Sequence, residues 1–422
     1  MFEEKRNAML EYIKNEFSDI INTNFVDNSG IVDKKKKIWV TNEINNLIKK
    51  YGLGIGILAQ HQQGVASGYL KNSTLQIIEG NTSKFAHLPI RRIRGDKQAL
   101  IDKGIFVKND VVSEPEIHHN EKICYFCSAP RINPKEILSF YKTERGEKYQ
   151  AGFTFAPFGN PQTAIHFLVW NKLEGTEKLD TEKIHNLDVE NMNFTNKSIP
   201  DIVELLNSMN NSIKEYCKER KIDYITLDSI FNGWAGNSIT HKHFQFFALG
   251  SLPVTRLESQ KTWQLTDKTK VSLLKNPAAI YKIEGNDAQE VIKKANEMIE
   301  QWLNQKDKGI EQKVDGIGNY TQNTFVPGDK EGKVIYFYPR FRSKTAPDVI
   351  NDELPNAGNL ATMEMSRYFI VGNEEKFNSL KKRDRQGLDE IADTWHEGVN
   401  PKEGIAKFEK YLTKIAGKRC LK

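Results

Sequence analysis

The chain has 422 residues and a mild positive balance, with 61 Lys and Arg against 55 Asp and Glu and a net charge of +6. Hydrophobic residues make up 38% and charged residues 27%, the range of folded globular proteins, which argues against extensive disorder. So small a net charge argues against nucleic-acid binding as the main function. No segment approaches the roughly 18 apolar residues of a membrane span, and no signal-peptide pattern is present, so we expect a cytoplasmic protein with no membrane partner.

Elements in the first hundred residues are predicted from the spacing of apolar side chains. An amphipathic helix opens the chain, because apolar residues recur three or four positions apart over the first twenty residues. The densest basic run, Lys34 to Lys37, predicts a solvated loop, with a tail that touches RNA as the lesser alternative. Residues 39–106 mix short apolar runs with Gly and polar turns and indicate only a mixed α/β region.

The centre of the chain predicts strands around a long helix. Two apolar runs, 152–158 and 163–170, flank a Gly-Asn-Pro turn and predict two adjacent strands. Ser198 followed by Pro200 starts a helix with apolar residues three or four apart. A strand over 222–231 follows this helix.

The remaining elements follow the same rules. A glycine-containing loop at 232–238 leads into a strand over 240–249. Beyond Pro253 a polar stretch predicts a linker, which ends at a helix near 291–303. A strand at 334–338 and helical segments close the chain.

The segment Thr240-His241-Lys242-His243-Phe244-Gln245 carries the most informative pattern in the chain. Alternate residues of a strand share a face, so His241, His243 and Gln245 project together. A polar strand face turned to solvent would show the same alternation. On this segment alone, that alternative stays open.

The loop before this strand favours an anion-binding site. Asn232, Asn237 and Ser238 offer side-chain donors, and Gly236 lets backbone N–H groups approach a ligand closely. Imidazole is a good nucleophile near neutral pH because much of it is unprotonated. Two histidines beside such a loop therefore indicate phosphoryl or nucleotidyl transfer, with Asn232, Gly236 and Ser238 as substrate-binding residues.

The spacing His241-x-His243-x-Gln245 resembles the motif of the transferase branch of the histidine-triad superfamily. That branch includes galactose-1-phosphate uridylyltransferase, GDP-L-galactose phosphorylase and diadenosine tetraphosphate phosphorylase. The resemblance implies that His243 is the catalytic nucleophile, which attacks the α-phosphorus of a nucleotide. Gln245, the other predicted catalytic residue, stands where the hydrolases of the superfamily have a third histidine. Its amide can hold a phosphate oxygen but cannot deliver a proton, which favours transfer or phosphorolysis over hydrolysis.

A second segment, Cys124-Tyr125-Phe126-Cys127, has the spacing with which one turn holds a zinc ion. It resembles the Cys-x-x-Cys element of the uridylyltransferases, and that resemblance implies that His241 completes the metal set. His166 and His185 are both candidates for the fourth ligand. We prefer His185, because His166 lies among strand residues and is expected to be simply packed. The expected metal is a structural zinc on Cys124, Cys127, His241 and His185.

A fainter resemblance to the GDP-hexose phosphorylases lies at Pro339-Arg340-Phe341-Arg342-Ser343-Lys344. It implies that Arg340, Arg342 and Lys344 bind the phosphate of the acceptor. An exposed basic strand end is an equally simple interpretation of the same residues.

These patterns together predict an α+β fold of the histidine-triad type, an antiparallel sheet with flanking helices and two related halves. The predicted domains are an N-terminal segment over 1–120, the catalytic half over 121–250, and a second half with a helical C-terminus over 251–422. A homodimer is expected from the resemblance.

The predicted function is transfer of a nucleoside monophosphate from a nucleoside-diphosphate sugar or a dinucleoside polyphosphate to phosphate or a sugar phosphate. Two alternatives remain. One is a nucleotide hydrolase of the same fold, and the other is an inactive protein that binds a nucleotide or a nucleic-acid end.

Overall fold

The computed structural model describes most of the chain outside the segments near residues 89–135, 154–163, 172–197, 233–242, 306–319 and 342–359. The described residues are 2–27, 31–70, 76–88, 118–119, 122–123, 136–144, 146, 148–153, 164–171, 198–232, 243–305, 320–341, 360–397, 399–400, 402–417 and 420–421. Their architecture is α+β, as the sequence predicts.

Helices of the described residues lie mainly before and between the strands. Their bounds are α1 Phe2–Glu16, α2 Ser18–Ile21, α3 Lys34–Tyr51, α4 Leu53–Ala66, α5 Ser198–Arg220, α6 Ala288–Leu303, α7 Thr362–Met365, α8 Glu374–Leu380, α9 Arg385–His396 and α10 Lys402–Ala416. Two short 3-10 turns are Pro253–Arg256 and Gly328–Lys330. The predicted helices at the start of the chain, after Ser198 and near 291–303 are confirmed as α1 with α2, α5 and α6.

Strands make up three sheets in the part of the chain that the structure describes. Their bounds are β1 Gln76–Glu79, β2 Lys84–His87, β3 His118–His119, β4 Lys122–Ile123, β5 Ser139–Lys142, β6 Lys148–Phe153, β7 Ile165–Asn171, β8 Asp228–Asn232, β9 His243–Ala248, β10 Ser259–Gln264, β11 Thr269–Leu274, β12 Tyr281–Gly285, β13 Tyr320–Val326, β14 Val334–Phe341, β15 Tyr368–Val371 and β16 Cys420–Leu421. The largest sheet has eleven of these strands, in the order β16-β10-β11-β12-β14-β13-β8-β9-β7-β6-β5, and each neighbouring pair in it is antiparallel.

The large sheet consists of two halves with the same topology. In the first half a meander of β5, β6 and β7 is followed by α5 and by β8 and β9, and β9 returns to pair with β7. In the second half β10, β11 and β12 are followed by α6 and by β13 and β14, and β14 pairs with β12. The halves join through the antiparallel pair β8 and β13, with Asn232 opposite Asn323. The predicted relation between two halves is confirmed, whereas the predicted domain limits at residues 120 and 250 stay predictions.

Helices cover one face of this sheet. Phe244 and Phe246 of β9 point to that face, where Phe246 stacks on Phe167 of β7 with ring centroids 5.3 Å apart. Helices α1 to α6 and α10 contribute apolar side chains to the same core. Each fully buried aromatic or aliphatic side chain stabilises such a core by roughly 1.5–3 kcal/mol.

The opposite face is covered by the chain around α7. Ile230, Phe247 and Tyr338 of the sheet pack there in one cluster with Leu360 and Met363. A smaller sheet, β1-β2-β15, packs beside it against α8 and α9. The polar face of β9 therefore lies on the same side of the sheet as α7, one strand away from the joint between β8 and β13.

The prediction of a loop at Lys34 to Lys37 is wrong. These lysines form the first turn of α3, which begins there because the Asp33 side chain accepts a hydrogen bond from the Lys36 N–H (3.1 Å). An Asp at this position satisfies one of the free N–H groups of a helix start. Lys34, Lys35 and Lys36 are exposed, so the part of the prediction that concerned solvation holds.

The predicted linker beyond Pro253 is also wrong, because this region forms the meander β10, β11 and β12. These strands were not predicted because their outward-facing residues are polar. Only alternate residues, such as Trp263 and Val271, are apolar and buried. Strand limits moved elsewhere too: β6 begins at Lys148 rather than at residue 152, and β8 begins at Asp228 rather than at residue 222.

Candidate active site

His243 and Gln245 project from the face of β9 that lies under α7. The neighbouring residues Phe244 and Phe246 pack into the opposite core, which fixes the alternation of the strand. His243 is 5% exposed and Gln245 is 9% exposed. The structure therefore brings the predicted nucleophile and its predicted partner to one face, and the solvent-facing alternative is wrong.

The side chain of Gln245 is held by a histidine on the next strand. β7 pairs with β9 so that Leu168 lies opposite Gln245 and His166 lies opposite Phe247. The His166 Nε2 atom lies 3.1 Å from Gln245 Oε1. With the amide oxygen facing the ring, Nε2 is the protonated nitrogen and donates. His166, expected to be simply packed, is buried but contacts the site.

The side chain of Asn232 is held from the other half of the molecule. Its Oδ1 atom accepts from the Thr362 backbone N–H at 2.8 Å and from the Thr362 hydroxyl at 2.6 Å. Asn232 is the last residue of β8 and is 4% exposed. The register of β8 and β9 pairs Phe231 with Phe244, so Asn232 and His243 are the next residues along this antiparallel pair.

The side-chain amides of Asn232, on the strand next to His243, and of Gln245, two residues along the same strand, are held in the same way. In each, the carbonyl oxygen is occupied by a donor from the protein, so the NH2 group is turned away from that donor. Among the residues that the structure describes, neither NH2 group has an acceptor within hydrogen-bonding distance. An amide whose oxygen is already held in this way offers only its NH2 donors to a ligand. Two amide donors beside an imidazole fit the oxygens of a phosphate.

Arg340 lies on the same sheet face, on β14. It pairs with Thr321 in the register that places Asn323 opposite Tyr338. It is fully buried, and its Nη1 donates to Met365 Sδ at 3.0 Å. Burial lowers the pKa of its guanidinium to about 10, against the opposing effect of the Glu364 carboxylate, so it is positively charged at neutral pH. The alternative of an exposed strand end is wrong for Arg340, and its contact with an acceptor phosphate stays a prediction.

The other predicted site residues lie outside the described residues. They are Gly236, Ser238, Arg342 and Lys344 among the substrate-binding residues, and Cys124, Cys127, His185 and His241 among the zinc ligands. The described residues contain no group of three or more His, Cys, Asp or Glu that could hold a metal. These roles, and the zinc itself, stay predictions.

Sequence reasoning missed two residues that shape the site. One is Thr362, because no local pattern shows that it reaches Asn232, 130 positions away. His166 was placed on a strand, and the alternation of that strand puts it on the face of Leu168 and Trp170. The pairing of this strand with β9 would have revealed its role, but pairing is not readable from one strand.

No protein-family model matches the chain, and no curated protein matches it. Among solved structures, the chain is similar to the crystal structure of yeast Ap4A phosphorylase Apa2, with 13% sequence identity and a TM-score of 0.43, over 81% of this chain and 94% of that chain. It is also similar to the structure of yeast Ap4A phosphorylase Apa2 in complex with AMP, with 13% identity and a TM-score of 0.41, over 84% of this chain and 98% of that chain.

Because both TM-scores lie below 0.5, the functional proposal rests on the residues of the site. Within the described part of the chain, no helix is both long enough and apolar enough to cross a membrane.

Proposed function

We propose that this protein is a nucleotidyltransferase or phosphorylase. It takes a nucleoside monophosphate from a nucleoside-diphosphate sugar or a dinucleoside polyphosphate and gives it to phosphate or a sugar phosphate. The transfer passes through a covalent nucleotidyl-histidine on His243.

One observation carries the proposal: the two amides beside His243 have occupied carbonyl oxygens and open NH2 groups. An amide fixed in this way presents only donors to a ligand. A phosphate offers only acceptors when it is fully ionised, so the two sets of groups match. The imidazole of His243, on the same face, supplies a nucleophile for the phosphorus.

In the first step an unprotonated nitrogen of His243 attacks the α-phosphorus. The N–P bond forms while the bond from phosphorus to the leaving phosphate oxygen breaks, and that oxygen leaves with the electron pair. Phosphates and sugar phosphates are good leaving groups and need no proton from the protein. The NH2 groups of Gln245 and Asn232 donate to the nonbridging oxygens, where negative charge develops.

In the second step an oxygen of the acceptor phosphate attacks the same phosphorus. The new O–P bond forms, the N–P bond breaks, and the imidazole of His243 is regenerated. The positive charge of Arg340 on this sheet face favours an anionic acceptor. Gln245 neither takes nor gives a proton, so it does not activate water as a competing acceptor.

Intact-protein mass spectrometry tests the covalent step. The protein is incubated with a mixture of nucleoside-diphosphate sugars and dinucleoside polyphosphates, beside the variants His243→Gln and Phe244→Leu. Phe244 is the matched control, because it lies on the same strand and points into the opposite core. We expect a nucleoside-monophosphate adduct in wild type and in Phe244→Leu, and none in His243→Gln. The mass of the adduct identifies the base.

The alternatives give other results in the same experiment. Release of nucleoside monophosphate into water, with no dependence on a phosphate acceptor, would favour the nucleotide hydrolase. Nucleotide binding without an adduct or exchange for any donor would favour the inactive binding protein. Either result would contradict the proposed transfer.

The proposal includes the structural zinc on Cys124, Cys127, His241 and His185. Elemental mass spectrometry compares the zinc content of purified wild-type protein with that of Cys124→Ser. The control is Cys217→Ser, since Cys217 is a buried free cysteine on α5. We expect about one zinc ion per chain in wild type and in the control, and loss of zinc from Cys124→Ser. Wild-type protein without zinc would contradict the ligand set.

The expected homodimer is tested by measuring the molar mass of the purified protein in solution.

A further inference from the structure

We infer that Thr362 is a positioning residue, contributed by the second half of the molecule, that sets the orientation of the Asn232 amide in the site of the first half. The inference rests on the proposed function for its kinetic consequence. Its structural part stands on the contacts of Thr362 alone.

The backbone N–H of Thr362 decides which way round the Asn232 amide lies. This N–H can only donate, and it lies 2.8 Å from Asn232 Oδ1. The reversed amide would place an NH2 group against the N–H, which pairs two donors and gives no hydrogen bond. The oxygen of Asn232 therefore faces α7, and its NH2 group faces away from α7.

The hydroxyl of Thr362 completes this arrangement. Its Oγ1 atom lies 2.6 Å from Asn232 Oδ1 and 3.0 Å from the Phe231 carbonyl oxygen. A hydroxyl has one proton, and two oxygens 2.6 Å apart need a proton between them, so the proton goes to Asn232. Both acceptor positions of Oδ1 are then filled, and only donors of Asn232 remain for a ligand.

Thr362 is itself held by the second half of the molecule. The four-residue α7 that begins at Thr362 is anchored at its far end. There Tyr338 of β14 and Ser366 share a hydrogen bond of 2.6 Å, and His396 of α9 donates from Nε2 to the Glu364 carbonyl oxygen at 2.9 Å. Arg340 donates to Met365 in the same segment. The orientation of an amide in the first half is thereby coupled to contacts made by the second.

The kinetic test compares Thr362→Val, Thr362→Ser and the control Thr41→Val by the rate of adduct formation. Thr41 lies on α3, where its hydroxyl donates to the Lys37 carbonyl oxygen at 2.8 Å. Val keeps the shape and the backbone N–H but removes the hydroxyl proton, whereas Ser restores it. Loss of a whole donor to a developing oxyanion costs about 100-fold to 1,000-fold, and Val weakens the orientation of one donor, so we expect a fall of roughly 10-fold. We expect kcat to fall more than KM rises in Thr362→Val, and near wild-type rates for Thr362→Ser and Thr41→Val.

Combining Thr362→Val with Asn232→Ala distinguishes positioning from a loss of folding. If Thr362 acts through Asn232, Val has little further effect once the amide is gone. An equal 10-fold loss in both backgrounds, or an unrescued loss in Thr362→Ser, would overturn the inference.

A measurement without turnover separates this inference from the proposed function. Protein with 15N-labelled asparagine shows the side-chain amide signals, and that of Asn232 is identified by its absence from Asn232→Ala. We expect Thr362→Val to shift this signal and Thr41→Val to leave it in place. An unshifted signal in Thr362→Val contradicts the positioning role. Absence of an adduct in wild type contradicts the proposed function and leaves this signal informative.

Discussion

The two halves of the large sheet share one topology but differ in what their last hairpins carry. In the first half, β8 and β9 present an imidazole and two open amides, those of His243, Asn232 and Gln245. In the second half, β14 presents Tyr338 and Arg340, both fully buried and both in contact with the α7 segment. The same arrangement of strands therefore supplies a reactive face in one half and a platform for its cover in the other.

Topology alone therefore does not make a site. Strand pairing decides which residues share a face, and the residues at those positions decide whether the face binds or packs. The first half leaves donors for a ligand, whereas the second half uses its polar groups to hold α7 over the joint between β8 and β13.

Substitution of Gln245 in the first half is expected to slow adduct formation most. Gln245→Glu keeps the size of the side chain and the contact with His166 but replaces the open NH2 with a negatively charged oxygen. We expect adduct formation to slow by about 100-fold to 1,000-fold, because a donor to the phosphate is lost and like charges repel. Rapid-quench kinetics with the radiolabelled donor measures this rate. A rate within a few-fold of wild type would show that Gln245 does not contact the phosphate.

A change in the second half is expected to act on the acceptor step. Arg340→Met removes the buried charge and places a thioether beside Met365. We expect the KM for the acceptor phosphate to rise by roughly 10-fold, the worth of one charge-assisted contact, while adduct formation changes little. Steady-state kinetics at varied acceptor concentration separates the two steps. An equal loss in the rate of adduct formation would contradict a specific role of Arg340 in the acceptor step.

The stability of Arg340→Met is a control for that kinetic result. A buried charge replaced by an apolar side chain of similar length is often neutral or stabilising. A large fall in the unfolding midpoint of this variant would mean that the kinetic loss reports folding rather than acceptor binding.

A smaller effect, on the stability of the fold, is expected at Asp228, where the two halves of the sheet meet. Asp228 begins β8, and its Oδ1 accepts from the Gly328 N–H at 2.9 Å, just after β13. Burial raises the pKa of Asp228 to about 7, opposed by the Gly328 N–H and supported by the charge of Asp329. The folded protein then binds a proton that the unfolded chain has lost above about pH 4. This contribution to stability is present at low pH and is lost as pH rises toward 7.

Asp228→Asn keeps the acceptor for Gly328 and removes the titration. We expect this variant to gain about 1–2 kcal/mol of unfolding free energy relative to wild type between about pH 5 and about pH 8. Urea denaturation at a series of pH values measures the difference. A constant difference across this range would contradict the raised pKa.

Elements whose apolar side chains recur with a long and regular period were predictable from the sequence. Helices α5 and α6 were predicted because their apolar residues recur over four or more turns, and the alternation of His243, Phe244 and Gln245 predicted the two faces of β9. The meander β10 to β12 was missed for the converse reason. Its strands are short and polar on one face, so their pattern resembles that of a linker.

The residues that complete the site come together only in the folded chain. His166 reaches Gln245 across 79 positions, and Thr362 reaches Asn232 across 130. Strand pairing and the docking of α7 bring them together, and both depend on how the whole sheet closes on its core. A residue type shows what a side chain is able to donate, but the direction in which an amide donates depends on the partner that occupies its oxygen.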